Sequence, residues 1–246
     1  MKTVTGLLHI HTTYSYDGRI TLDDISSIAR SKGHGFLLLT EHSDDFSPRK
    51  MEALREHSQR LSDKDFVIIP GLEVNCDLGR HLLAVGVTRY ISEEKPDDVV
   101  REIADSGGLA ILPHPSLYQF RSFLSSGAYL NGVEVWNSRY DTRCVPNLKS
   151  FELLNRLRKE NASVFAYGGL DLHEKKNADR LFLKLQPKEL SADTILAELR
   201  DGNFQVVGKT AAFSGRGNLS SVRRLYFDVF GALAILYRSV MRRDKL

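Results

Sequence analysis

The run "GLLHIH" places His9 and His11 one residue apart at the end of an apolar segment, and Asp17 follows in the next polar stretch. In a strand alternate side chains share a face, so the two imidazoles would point one way and Ile10 the other. Two imidazoles on one face invite a metal ion, and the same residue types recur along the chain. His42 follows "FLLLTE", Glu73 follows "FVIIPGL", His81 opens "HLLAVGV", His114 follows "LAILP", and Asp171 and His173 follow "VFAYGGL". Six of the eight histidines thus sit at the margins of apolar runs, leaving His34 and His57 to ordinary surface. Imidazole and carboxylate suit zinc, manganese or iron, and a cluster with several carboxylates could hold more than one ion. Glu41 reads as a cap or a solvent-facing carboxylate, and Glu134 in "GVEVWN" as a structural strand residue.

Elements must carry these residues to one place. "GLLHIH", "GFLLLTEH", "DFVIIPGLEV", "RHLLAVGV", "GLAILPHP", "NGVEVWN", "SVFAYGGLDLH" and "NFQVVG" read as strands, and the buried ones are continuous runs, as sheets covered on both faces require. Between many of them lie segments of helical period: "TLDDISSIARSKG", "SPRKMEALREHSQRLS", "KPDDVVREIADSGG", "VPNLKSFELLNRLRKEN" and "LSADTILAELRDG". Thr21 is a plausible N-cap, with Leu22, Ile25, Ile28 and Ala29 on one side of the first helix. The near β–α alternation favours a parallel α/β barrel over a doubly wound sheet, because loops after barrel strands converge on one rim.

Composition bounds the function classes. A chain of 246 residues, 42% hydrophobic and 26% charged, is an ordinary globular sequence for which one main domain is the simpler expectation. "MKTVTG" does not read as a signal peptide, and Cys76 and Cys144 show neither pairing nor metal spacing, so a reduced, cytoplasmic protein is expected. The net charge of +3 is uneven: eight basic residues face two acidic ones from Lys209 onward, which leaves the body mildly acidic. That balance argues against an extended nucleic-acid footprint and for a small substrate. The division expected is a catalytic barrel over residues 1–212 and a basic, amphipathic helical extension over 213–246. Its apolar stretch from Val229 to Tyr237 is too short to span a bilayer. Residues 221–246 are expected to pack on the barrel or a second subunit, with contact to an anionic membrane surface as the alternative.

In this order "HIHTTYSYDG", "LLLTEH", "GLEV", "RHLLAVG", "ILPHP" and "GGLDLH" resemble the successive motifs of the PHP (polymerase and histidinol phosphatase) family, over roughly residues 6 to 210. The resemblance implies a distorted (β/α)7 TIM-like barrel with two or three divalent ions, Zn, Mn or Fe, at the C-terminal rim of the strands. It implies phosphoester hydrolysis by a metal-bound hydroxide as the activity. It assigns one metal to His9, His11, Glu73 and Asp171, a second to Asp17, His42 and His173, and a third to Glu73, His81 and His114. Asp17 stands where some trinuclear members have histidine, "TEH" replaces the commoner "TDH", and "GLDLH" replaces "GSDAH". Asp171 is expected to orient the nucleophile and His173 to protonate the leaving oxygen. Arg80 and Arg19 are the expected phosphate contacts, ahead of Arg139, Arg143 and Lys209. Hydrolysis of a non-phosphate bond, and a non-catalytic metal-binding or partner-docking role, are the alternatives.

Overall fold

The computed structural model describes residues 2–76, 79–118, 127–142, 144–178 and 180–217. Arg143 and the proposed C-terminal helix beyond residue 217 lie outside the described residues, and residues 213–214, expected in that extension, are strand instead. Strand β1 (Val4–Ile10) leads through helix α1 (Leu22–Ser31) to β2 (Phe36–Leu39) and the two-residue β3 (Glu41–His42). Helix α2 (Pro48–Leu61) precedes β4 (Val67–Ile69), β5 (Gly71–Cys76) and β6 (Arg80–Val85). Then come α3 (Pro96–Asp105), β7 (Leu109–Leu112), β8 (Gly132–Asn137), α4 (Leu148–Leu157) and β9 (Phe165–Gly169). The described chain ends with β10 (Leu181–Leu185), α5 (Ala192–Arg200), β11 (Phe204–Gly208) and β12 (Ala212–Ser214).

The five α-helices among the described residues follow from local sequence. Thr21 Oγ1 caps α1 by accepting Asp24 N–H, Ser47 caps α2 ahead of Pro48, and Ser191 and Thr194 form a reciprocal capping box on α5. Each helix turns its apolar stripe inward, as Ile25 and Ala29 of α1 and Val99 and Ile103 of α3 show.

The strands form two six-stranded mixed sheets, in the orders β12-β11-β10-β1-β2-β4 and β3-β5-β6-β7-β8-β9. This corrects the expectation of a parallel barrel: among the described residues, strand pairing closes no single ring, and β1 with β10, β5 with β6 and β6 with β7 run antiparallel. The physical reason is connection length at β5–β6. Three residues separate β5 from β6, far fewer than the dozen or more of a parallel crossover, so the two strands pair antiparallel. Strands β10 and β12, which the apolar-run reading does not include, extend the first sheet. In β10 the pattern "LFLKL" alternates, with Lys184 exposed between buried Leu183 and Leu185.

The sheets meet where the site lies. The chain passes from β2 into β3 across Thr40 and from β4 into β5 across Pro70, one sheet to the other. An isolated parallel bridge joins Ile10 to Leu172, with His11 N–H donating to Leu172 O and Leu172 N–H to His9 O, both at about 3 Å. Fully buried Trp136, Tyr167 and Phe36 anchor the core, each contributing about 1.5–3 kcal/mol by burial. Among the described residues no helix is long and apolar enough to cross a membrane.

Candidate metal centre

Glu73 is the hub. It sits on β5, 2% exposed, and its Oε2 lies 3.3 Å from His9 Nε2, 3.2 Å from His11 Nε2 and 3.5 Å from His42 Nδ1. Its Oε1 lies 2.9 Å from His81 Nδ1 and 2.8 Å from His114 Nε2. Five imidazoles from four strands or strand ends, β1, β3, β6 and β7, therefore converge on one buried carboxylate. Asp171 Oδ1 stands 3.8 Å from His11 Nε2 and 3.4 Å from His173 Nδ1. Asp17, on the loop after β1, reaches His42 Nε2 at 3.4 Å and His173 Nε2 at 2.9 Å. All nine residues named from sequence as metal ligands are thus brought into one cluster.

The backbone is bent to achieve this. His9 adopts φ 67°, His114 φ 28° and Asp171 φ 51°, the positive values that β-carbons disfavour. Strained backbone at functional sites persists only where its surroundings over-determine it. Strand β1 pairs with β2 through a register shift between Leu8 and Ile10, so His9 occupies a bulge. Simple alternation put His9 and His11 on one face, whereas the structure brings their rings to 5.1 Å apart through that bulge and the end of the strand. Strand β8 has a matching shift between Glu134 and Trp136.

Glu134 sits at that second irregularity, fully buried, with Oε1 2.7 Å from His9 Nδ1. Its Oε2 accepts the His114 backbone N–H at 3.0 Å and Asn137 Nδ2 at 2.9 Å, so Glu134 bonds to histidines from two strands, His9 and His114. Gly169 on β9 makes room for it, since a β-carbon there would fall 1.8 Å from Glu134 Oε1. Glu41 faces inward, against the solvent-facing reading: it is fully buried and accepts bonds from Thr12 N–H, Thr12 Oγ1 and Ser15 Oγ. Both glutamates were findable as charged residues beside continuous apolar runs, where a carboxylate needs a partner.

Burial and charge set the protonation states. Burial would raise the Glu73 carboxyl, but the surrounding imidazoles, His9 first, outweigh it and hold the group well below its ordinary range. Burial lowers His11 to about 4, so it is a neutral imidazole at physiological pH, the form that binds cations. His42 is lowered by burial too. His9 goes the other way, because Glu134, Asp171 and Glu73 together overcome its burial. At His81 the Glu73 carboxylate likewise outweighs burial and raises it. Burial pushes Glu41 up to about 7, opposed by the Ser15 and Thr12 hydrogen bonds.

The donor set fits divalent metal. Four groups each bring three donor atoms within 4.8 Å of one another: His11, His42 and His173; His9, His11 and Glu73; His9, His114 and Asp171; Glu73, His81 and His114. His11 Nε2, fully buried, has no partner of full hydrogen-bond geometry among the described residues and lies 3.2 Å from Glu73 Oε2, facing the cluster. Thiolate is absent from these groups, in keeping with the imidazole and carboxylate preference of zinc, manganese and iron sites.

Cations are distributed unevenly around the cluster. Arg139, on the turn after β8, places Nη1 3.4 Å from Asp171 Oδ1 and 2.7 Å from His173 Nδ1. The Arg19 side chain is 78% exposed, 3.9 Å from Glu174, while its backbone N–H donates to His173 O. Arg80 is half-buried on β6, next to His81, and Lys209 is exposed beyond β11. Tyr16 stacks on His42 at 5.0 Å and Tyr140 meets His114 edge-on at 5.3 Å, both exposed.

No family model matches the chain. It is 25% identical over 179 residues to a probable histidinol-phosphatase of Thermotoga maritima, covering 65% of this chain and 71% of that protein. Its fold resembles a two-domain Bacteroides vulgatus protein containing a predicted PHP-like metal-dependent phosphoesterase, at 18% identity and TM-score 0.63, over 84% of this chain. The chain spans 65% of that solved chain. It also resembles endonuclease Q solved with a 27-mer duplex bearing an abasic lesion at the active site, at 16% identity and TM-score 0.58, over 81% of this chain and 57% of that one. The likeness to the PHP family read from the motifs is borne out by these comparisons, which pair the chain with a probable histidinol-phosphatase and a predicted PHP-like metal-dependent phosphoesterase.

Proposed function

We propose that this chain hydrolyses a small phosphorylated substrate at a centre of two or three divalent ions, Zn, Mn or Fe. The observation that carries the reading is the buried Glu73 carboxylate with five imidazoles within 3.5 Å. In this reading His9, His11, Glu73 and Asp171 hold one ion, Asp17, His42 and His173 a second, and Glu73, His81 and His114 a third. Bound there, such ions would lower the pKa of a coordinated water toward neutrality and neutralise phosphoryl charge.

The chain's own residues do the rest. Asp171, 7% exposed and within reach of His11 and His173, orients the attacking oxygen. The His173 side chain, 11% exposed at the mouth, hands a proton to the departing oxygen. Arg80 and Arg19 are proposed to meet the phosphate, joined by Arg139, whose guanidinium already lies against Asp171 and His173. The continuity of β2 with β3 and of β4 with β5, with the Ile10–Leu172 bridge, supports reading the two sheets as a distorted seven-stranded barrel with the cluster on its rim. The division into residues 1–212 and an extension is kept as part of this proposal, as is a cytoplasmic location.

The likeness to endonuclease Q brings a nucleic-acid substrate as the second reading. A panel of phosphomonoesters, small phosphodiesters and lesion-bearing duplexes, run on protein of known metal content with Mn, Zn or Fe added, separates them. Turnover of a small phosphoester with at least two ions per chain is expected. Fewer than two ions under every loading condition, or turnover confined to duplexes, would overturn the proposal.

A further inference from the structure

Ser15 has one hydroxyl proton and two lone pairs, and the structure accounts for all three. Its Oγ donates to Glu41 Oε2 at 2.5 Å, accepts the His42 backbone N–H at 2.9 Å, and stands 3.5 Å from His11 Nδ1. Glu41 fixes the direction of the first of these bonds. Its oxygens also receive Thr12 N–H, at 3.1 and 3.0 Å, and Thr12 Oγ1 at 2.6 Å. Thr12 Oγ1 in turn accepts Tyr14 N–H, so its own proton is free to go to Glu41. With these donors converging on it, Glu41 is an acceptor, and the only proton of Ser15 is committed to it.

What Ser15 then presents to His11 is a lone pair, so His11 Nδ1 approaches as the donor. The other ring nitrogen, Nε2, keeps its lone pair and faces Glu73 Oε2 at 3.2 Å and Asp171 Oδ1 at 3.8 Å without a hydrogen bond. We propose that Glu41 is a positioning residue that acts through Ser15 to hold His11 as the Nδ1–H tautomer, with Nε2 open toward the cluster. Its use rests on the metal-dependent reading above, whereas its content is the place of one proton. Glu134 does the same for His9 directly, so both histidines of "HIH" are braced from behind by a carboxylate.

Long-range 1H–15N spectra of histidine-labelled, metal-free protein at mildly alkaline pH read which ring nitrogen of His11 is protonated. The native protein is expected to show Nδ1–H. Glu41→Gln turns an amide donor toward Ser15, which sends the hydroxyl proton to His11 and moves the ring to the Nε2–H tautomer. Added to Ser15→Ala, Glu41→Gln should change the His11 signals no further, and Ser15→Thr should keep the native tautomer. Apparent affinity for Mn or Zn should fall about 10- to 100-fold in Glu41→Gln, and by much less when Ser15 is already alanine. Should Glu41→Gln not fold, the Ser15→Ala and Ser15→Thr pair decides by the same spectra. Native Nε2–H, or an equal effect of Glu41→Gln with and without Ser15, overturns the proposal. Failure of the native protein to take up metal would instead overturn the phosphoesterase reading and leave the tautomer decided by the spectra.

Discussion

At the scale of single residues, Glu73 carries the largest consequences. Glu73→Gln keeps the volume but gives the five imidazoles an amide, so metal content and turnover should fall together, and wild-type values of both in that variant would refute the hub assignment. Acid acts on the same contacts. His11 stays neutral down to about 4, but His9 and His81 bind protons more readily than an ordinary imidazole, so protons compete with cations there first. Metal retained after equilibration should therefore be lower at about pH 5 than at about pH 8, the ligand form being neutral. Arg139 offers a separate test. Arg139→Ala should raise KM about 10- to 100-fold, the worth of a hydrogen bond to a charged group, with Arg139→Lys recovering only part because the planar fork is lost. An unchanged KM in Arg139→Ala would remove it from the phosphate seat.

At the scale of elements, two bulged strands share the task of aiming the ligands. Gly169→Ala would press a β-carbon onto Glu134 and so loosen His9, costing about 1–3 kcal/mol by overpacking and weakening metal binding about 10- to 100-fold. A melting curve and a metal titration of that variant check both, and native metal affinity would show that Glu134 does not need its place. These elements were only partly legible. Eight continuous apolar runs cover ten of the twelve strands among the described residues, and caps and periodicity revealed the five helices there, because those signals are local. The clustering of the proposed ligand residues was legible too, since imidazoles and carboxylates at strand ends are unusual company. Strand direction was not, because the reversal of β6 depends on a three-residue connection and on its two neighbours. The braces at Glu41 and Glu134 were missed because their partners, Ser15 and His9, are 26 and 125 residues away.

At the scale of the whole molecule, the centre ties together residues from 9 to 173 and both sheets. A cation bound only by the folded chain stabilises it by about 4 kcal/mol when its concentration is a thousand times Kd. Chelation should therefore lower the melting temperature of the native protein and leave Glu73→Gln nearly unmoved; equal shifts in both would detach the metal from this cluster. The crowding of five imidazoles on Glu73 has one more consequence. Because His9 and His81 bind protons more readily than an ordinary imidazole, a cation loaded there should expel hydrogen ions wherever they are charged. The heat of uptake measured by calorimetry should then change with the ionisation enthalpy of the buffer, and the slope of that dependence counts the protons the empty centre had been keeping.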